Sequence, residues 1–213
     1  MALVDANYKF INIDVGGYGR NSDGGVFANS PLGRHLKANT LNIPMDEPLR
    51  GAPGNDVPYV IIGDEAFPLM KNLMRPFPNV GLTEERRIFN YRLSRARRVV
   101  ENAFGILACR WRVFHTKIMV SPPNVNKIVK ASCVLHNFLQ TTSTPMQNAT
   151  ITAESNSSDT NDGLQNLIKT GNRGSVEATY VRGVFVEYFS SEVGKVHWQA
   201  DVVRRGMFKE SET

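Results

Sequence analysis

The sequence predicts an α/β protein, and three observations carry that expectation. Residues 83–112 place Phe89, Leu93, Ala96, Val100, Ala103, Phe104 and Leu107 at helical spacing, the pattern of one long amphipathic helix. Residues 59–62, Tyr-Val-Ile-Ile, form the short unbroken apolar run expected of a buried central strand. Residues 8–15 alternate instead, with Ile11, Ile13 and Val15 on one face and Asn12 and Asp14 on the other.

Taken in order, residues 2–4 and 8–15 read as two strands joined by a turn at Asp5-Ala6-Asn7. Gly16, Gly17 and Gly19 end the second strand. Asp23 and Ser30 then open two successive helices, Ser30 as N-cap with Pro31 at the first helical position. The second of these passes through His35 and ends near Asn39. Residues 41–57 are rich in Pro and Gly and read as loop. Residues 67–74 are expected as a short helix or turn, followed by Arg75-Pro76-Phe77-Pro78 as a rigid connector. Thr83 caps the long helix, and Glu84 and Glu85 fall in its first turn, where the helix dipole favours negative charge. Residues 113–119 read as a brief extended piece. Pro122-Pro123 opens a further helix carrying Val125, Ile128, Val129, Ser132, Cys133, Leu135 and Leu139. From Thr141 the composition shifts to Thr, Ser, Asn, Asp and Gly. That stretch holds too little apolar surface to offset its ordering entropy. The expected organisation is therefore a domain over 1–140, a disordered linker over 141–175 and a short helical docking segment over 176–213.

The chain has 213 residues and is 41% hydrophobic, enough for one core of ordinary size. Its formal net charge is +5 and its pI about 9.3, with the basic residues gathered between Lys71 and Lys130. Such clustering is a nucleic-acid footprint rather than diffuse solubility charge. Cys109 and Cys133 provide neither a disulfide framework nor metal-ligand spacing, and suit a reducing compartment. No apolar run approaches the roughly 18 residues that span a bilayer. The N-terminal residues lack the pattern of a secretory signal. A nuclear or cytoplasmic location, away from membranes, is expected.

Glu101 is a lone acid late in a helix crowded with arginines. An i,i+4 pair with Arg97, worth a few tenths of a kcal/mol, explains it when the helix is taken alone. A second carboxylate changes the picture. Asp64 stands where the 59–62 strand ends, the position at which active sites of open α/β sheets gather. It equally suits a cap for the turn that Gly63 begins. Together, a strand-end Asp and a helical Glu bordered by arginines are what a two-metal phosphodiesterase site needs. Carboxylates hold two divalent ions about 4 Å apart, and basic side chains nearby hold the phosphate backbone.

Several separated motifs add a family resemblance. They are Val15-Gly16-Gly17-Tyr18-Gly19-Arg20-Asn21-Ser22-Asp23, Ile62-Gly63-Asp64-Glu65-Ala66-Phe67-Pro68-Leu69, Asn90-Tyr91, Val100-Glu101-Asn102-Ala103-Phe104-Gly105-Ile106-Leu107, Arg110-Trp111-Arg112 and Cys133-Val134-Leu135-His136-Asn137. In this order and spacing they resemble the nuclease domain of PIF/Harbinger transposases, of the DDE superfamily. The resemblance implies a ribonuclease H-like mixed sheet flanked by helices, DNA as substrate, Mg²⁺ or Mn²⁺ as cofactor and a Myb-like DNA-binding partner protein. It implies that Asp64 is the second catalytic Asp and Glu101 the catalytic Glu, both as metal ligands. Arg97 and Arg98, with Arg110 and Arg112, are then the expected nucleic-acid contacts, and Asp23 is a helix cap with a possible supporting role. The stretch that would carry the family's first catalytic Asp is not found. A truncated chain lacking the first strand is therefore expected, and with it a second reading, a non-catalytic DNA- or protein-binding remnant. His136, in the Leu-His-Asn signature, is expected to be a hydrogen-bonded structural residue.

Overall fold

The computed structural model describes residues 1–17, 23–142 and 174–210. The chain divides into two compact units that interleave in sequence. Unit 1 is Met1–Val26 with Arg98–Lys169, and unit 2 is Phe27–Arg97 with Thr170–Thr213. The expected linker falls almost wholly outside the described residues.

In unit 1, β1 (Ala2–Val4) pairs antiparallel with β2 (Phe10–Ile13). The turn forms where Asp5 can serve it: Asp5 Oδ1 accepts the N–H groups of Asn7 and Lys9 at 2.8 and 2.9 Å. Of the expected inward face, Ile13 packs partly buried against the core, but Ile11 does not. Phe10 is buried, whereas Ile11 is exposed, because Phe10 is the side chain that meets Phe104 and His136, with ring centroids 5.4 and 5.1 Å away. Two more elements follow, a 3-10 turn (Arg112–His115) where an extended piece was expected and α4 (Pro122–Thr142). His115 Nε2, 2.9 Å from the Ala108 carbonyl, ties that turn back to the preceding helix.

Helix α1 (Asp23–Asn29) begins in unit 1 and ends in unit 2. Helix α2 (Pro31–Lys37) has the expected start. Ser30 Oγ accepts the Gly33 N–H at 2.9 Å and donates to the Phe27 carbonyl at 2.7 Å, with Pro31 in the first turn. A β-carbon on Gly33 would lie 2.0 Å from that same carbonyl oxygen, so only glycine fits there.

The 41–57 stretch is not a loop. It holds a hairpin, β3 (Glu47–Leu49) and β4 (Ala52–Val57), turning at Gly51 with φ +74°. Proline is tolerated because each strand of a two-stranded ribbon is an edge. The 59–62 strand is likewise not central. Only β5 (Ile61–Ile62) is regular, half-buried and paired in parallel with β6 (Leu73–Met74), so residues 67–74 give a turn and a strand rather than a helix. Among the described residues the strands thus form three two-stranded sheets, within a mixed α/β architecture.

The long helix α3 (Glu84–Arg110) starts behind Thr83, whose Oγ1 accepts the Arg86 N–H at 3.4 Å. The Thr83 side chain and the backbone N–H of Glu85 hold the Glu85 carboxyl below its ordinary range. Its buried stripe is Ile88, Phe89, Leu93, Ala103, Ile106 and Leu107, while Ala96 and Phe104, expected inside, are exposed. Residues Glu84 to Arg97 belong to unit 2 and the remainder to unit 1.

The last described segment forms α5 (Val176–Ser190) and α6 (Gln199–Glu210). Ser175 caps α5 by accepting the Ala178 N–H at 3.1 Å. Ala178 and Val181 join Val57, Leu69, Met74, Phe89 and Leu93 in one core cluster. Burying a side chain the size of Val contributes about 1.5–3 kcal/mol, so α5 is integral to unit 2. Gln199 fixes the turn before α6, donating to the Phe189 carbonyl at 2.7 Å and accepting from Arg92 at 3.1 Å.

Candidate metal and nucleic-acid site

Asp64 follows β5 in unit 2. The strand is held by Ile61 N–H donating to the Asn72 carbonyl and Gly63 N–H donating to the Met74 carbonyl, both at 2.9 Å. The chain then bends sharply. A β-carbon on Gly63 would lie 2.9 Å from the Phe67 ring, so this close approach needs glycine. Asp64 Oδ1 accepts the Ala66 N–H at 2.9 Å, the turn cap foreseen as one of its two roles. Its Oδ2 lies 3.8 Å from Nη2 of Arg97, and both side chains are about one-third exposed, 34% and 31%. That is a long, solvent-screened pair of the kind worth no more than about 1 kcal/mol.

Arg97 therefore spends its charge on Asp64 rather than in the i,i+4 pair expected with Glu101. Glu101, in unit 1, is exposed and has no ion-pair partner among the described residues. The other predicted contacts differ in availability. Arg98 and Arg112 are exposed, whereas Arg110 is partly buried and burial lowers its pKa. Asp23 is exposed at the first turn of α1. The loop before it, residues 18–22, lies outside the described residues.

In chemical type, Asp64 and Glu101 fit a hard divalent cation, which takes carboxylate oxygen. In number they fall short. No group of three or more His, Cys, Asp or Glu side chains able to hold a metal occurs among the described residues.

The Leu-His-Asn signature has a structural use in unit 1. His136 is fully buried, and its Nε2 lies 2.8 Å from the Tyr8 carbonyl. A carbonyl only accepts, so Nε2 carries the proton. Nδ1 has no hydrogen-bond partner among the described residues, and burial pushes the imidazole pKa down. Asn137 then pairs with β2 as another strand would: Phe10 N–H donates to its Oδ1 at 2.8 Å and its Nδ2 donates to the Phe10 carbonyl at 2.9 Å. Asn90 treats Phe77 in unit 2 in the same way, at 2.8 and 2.9 Å. Sequence reasoning assigned neither asparagine a role. The available signal was a mid-helix Asn, a residue with poor helix propensity that needs a reason to be there. Buried Cys133, its thiol pKa raised by desolvation, is packing rather than a nucleophile.

The described residues form helices and small two-stranded sheets in a mixed α/β fold, and comparison gives the family. The model of the DDE superfamily endonucleases matches residues 1–137, and the chain belongs to that family. The curated protein "Protein ALP1-like" of Arabidopsis thaliana is 28% identical over 140 residues, covering 65% of this chain and 34% of the relative. The chain thus spans about a third of the length of that relative. These matches bear out the resemblance at the level of the DDE superfamily endonucleases. No solved structure matches it. No helix among the described residues is long and apolar enough to cross a membrane.

Proposed function

We propose that this domain acts on the phosphodiester backbone of DNA, with Asp64 and Glu101 as carboxylate ligands for Mg²⁺ or Mn²⁺. The observation that carries this is Asp64, fixed at the end of β5 by its turn and opposed by Arg97 only at 3.8 Å, a partner that a divalent cation can displace. A bound ion of this type supplies Lewis-acid stabilisation of a phosphoryl oxygen and an activated water. Arg97, Arg98 and Arg112 would hold backbone phosphates. Asp23 supports the site from the start of α1. A ribonuclease H-like arrangement of the strands, a nuclear location and a Myb-like partner that supplies target recognition belong to the same reading.

A second reading is favoured by the lack of a third metal-ligating group among the described residues. In it the arginine-rich face binds DNA or a protein partner and no cleavage follows. Plasmid nicking in Mn²⁺, Mn²⁺ titration calorimetry and DNA binding across a salt series, on the wild type, Asp64→Asn and Glu101→Gln, separate the two. Nicking and Mn²⁺ uptake that both variants lose support the nuclease. Steeply salt-dependent DNA binding without either supports the binding module. Nicking that survives both substitutions rejects the site, and failure to bind DNA rejects the nuclease and the DNA-binding form of the second reading.

A further inference from the structure

A second set of cations converges on one ring in unit 2. The guanidinium carbon of Arg182, on α5, lies 3.8 Å from the centroid of Phe77, and that of Arg86, on α3, lies 5.0 Å from the same centroid. Asn90 holds the backbone of Phe77 in place, and Phe89 packs edge-on against its ring at 5.5 Å. Arg75, two residues before Phe77, donates through Nη1 to the carbonyls of Glu65 and Phe67 at 3.2 and 3.3 Å.

A cation over an aromatic face gains about 0.5–2 kcal/mol, which explains one arginine on Phe77. It does not by itself explain why two arginines converge on one ring. Burial of Arg182, with the charges of Arg75 and Arg86 adding to it, lowers its pKa to about 10. Its Nε is buried without a hydrogen-bond partner. Among the described residues no carboxylate pairs with Arg182 or Arg86. Two other cations of unit 2 do meet carboxylates: Lys71 lies 3.4 Å from Asp46 and 3.2 Å from Glu177, and Arg204 lies 3.5 Å from Glu84. A guanidinium over a ring uses its π-surface there and keeps N–H donors for oxygen. The fork of donors matches the oxygens of a phosphate.

We propose that Arg86 and Arg182, oriented on Phe77, form an anion site that takes a phosphate of a nucleic-acid backbone. The site shares no residue with Asp64 and Glu101 and needs no metal. Only the choice of nucleic acid over a free phosphate rests on the DNA-binding reading above.

Two measurements on the full chain test it. The first is affinity for a fluorescein-labelled DNA duplex against salt concentration, for the wild type, Arg86→Gln, Arg182→Gln and Arg182→Lys. Each glutamine variant is expected to flatten the slope of log affinity against log salt by about one, the signature of one lost phosphate contact, while the lysine variant keeps it. The second is thermal melting at constant ionic strength with inorganic pyrophosphate in place of chloride. Pyrophosphate should raise the melting temperature of the wild type by several degrees and leave that of Arg86→Gln unmoved. Arg86 is exposed, so its substitution tests the site without removing core packing. An unchanged slope with pyrophosphate stabilisation intact would reject the nucleic-acid assignment. Absence of DNA binding with that stabilisation intact rejects the DNA reading but not the anion site. No selective pyrophosphate effect on the wild type overturns the anion site itself.

Discussion

Replacing Phe89 by Ala lowers the unfolding free energy of this protein by about 3–5 kcal/mol, the cost of removing a buried aromatic ring and leaving a cavity. Phe89 is 1% exposed and sits in the core cluster of unit 2. Its ring meets Phe77 edge-on at 5.5 Å and Phe189 face-on at 6.2 Å, contacts worth about 0.5–1.5 kcal/mol each beyond their buried area. Domains have only about 5–15 kcal/mol to lose, so the variant should be close to unfolding at physiological temperature. Urea titration followed by tryptophan fluorescence measures it, since Trp198 lies in the same unit, against Tyr91 at 5.9 Å. A loss below about 1 kcal/mol would mean the ring is not the keystone that its burial indicates. Phe89→Leu should cost markedly less, because most of the volume is kept.

The second large effect is expected in unit 1, at Asn137. Its amide serves both backbone groups of Phe10, and Asn137→Ala removes both partners at once. Each bond contributes about 1 kcal/mol, and a donor or acceptor left unsatisfied beside a buried ring costs about 1–3 kcal/mol. The variant should lose about 2–4 kcal/mol, and hydrogen exchange at the Phe10 amide should accelerate. Asn137→Asp keeps an acceptor for the Phe10 N–H but loses the donor, so the exchange rate should fall between the two. Wild-type exchange at Phe10 in the alanine variant would show that the clamp does nothing.

His136 adds a pH dependence whose sign follows from its burial. Its folded pKa lies below the ordinary value of 6.5, with desolvation as the main cause and the positive charge of Arg110 assisting. Between the two values the unfolded chain binds the proton more readily than the folded one. The stability that neutral His136 contributes is therefore fully present above pH 6.5 and is lost as pH falls from there toward the folded pKa. Urea midpoints measured down a pH series should fall through that window for the wild type and less steeply for His136→Gln. Equal slopes would remove His136 as the source.

Much of the local structure was legible in the chain. Ser30 with Pro31, Thr83 before two glutamates, and Pro122-Pro123 mark the three helix starts where they occur. Capping and fixed φ angles act within a single turn, so the residues that cause them are neighbours in sequence. The structural role of His136 was readable for the same reason: a helix face flanked by apolar residues turns its polar member toward whatever backbone lies against it. The motifs around Asp64 and Glu101 identified the family because their order survives without any knowledge of packing.

What the sequence could not determine were the choices made by remote partners. Composition made 41–57 a loop, but pairing across Gly51 made it a hairpin. Helical spacing allowed Phe104 or Ile106 to face inward, and packing chose Ile106. Charge spacing offered Glu101 to Arg97, whereas the fold brought Asp64 within 3.8 Å. Arg182 lies about a hundred residues after Arg86 in the chain, yet both rest on Phe77. Capping and periodicity are short-range and were determined by the sequence itself. Burial and ion pairing depend on which distant surfaces meet, and only the tertiary structure decided them.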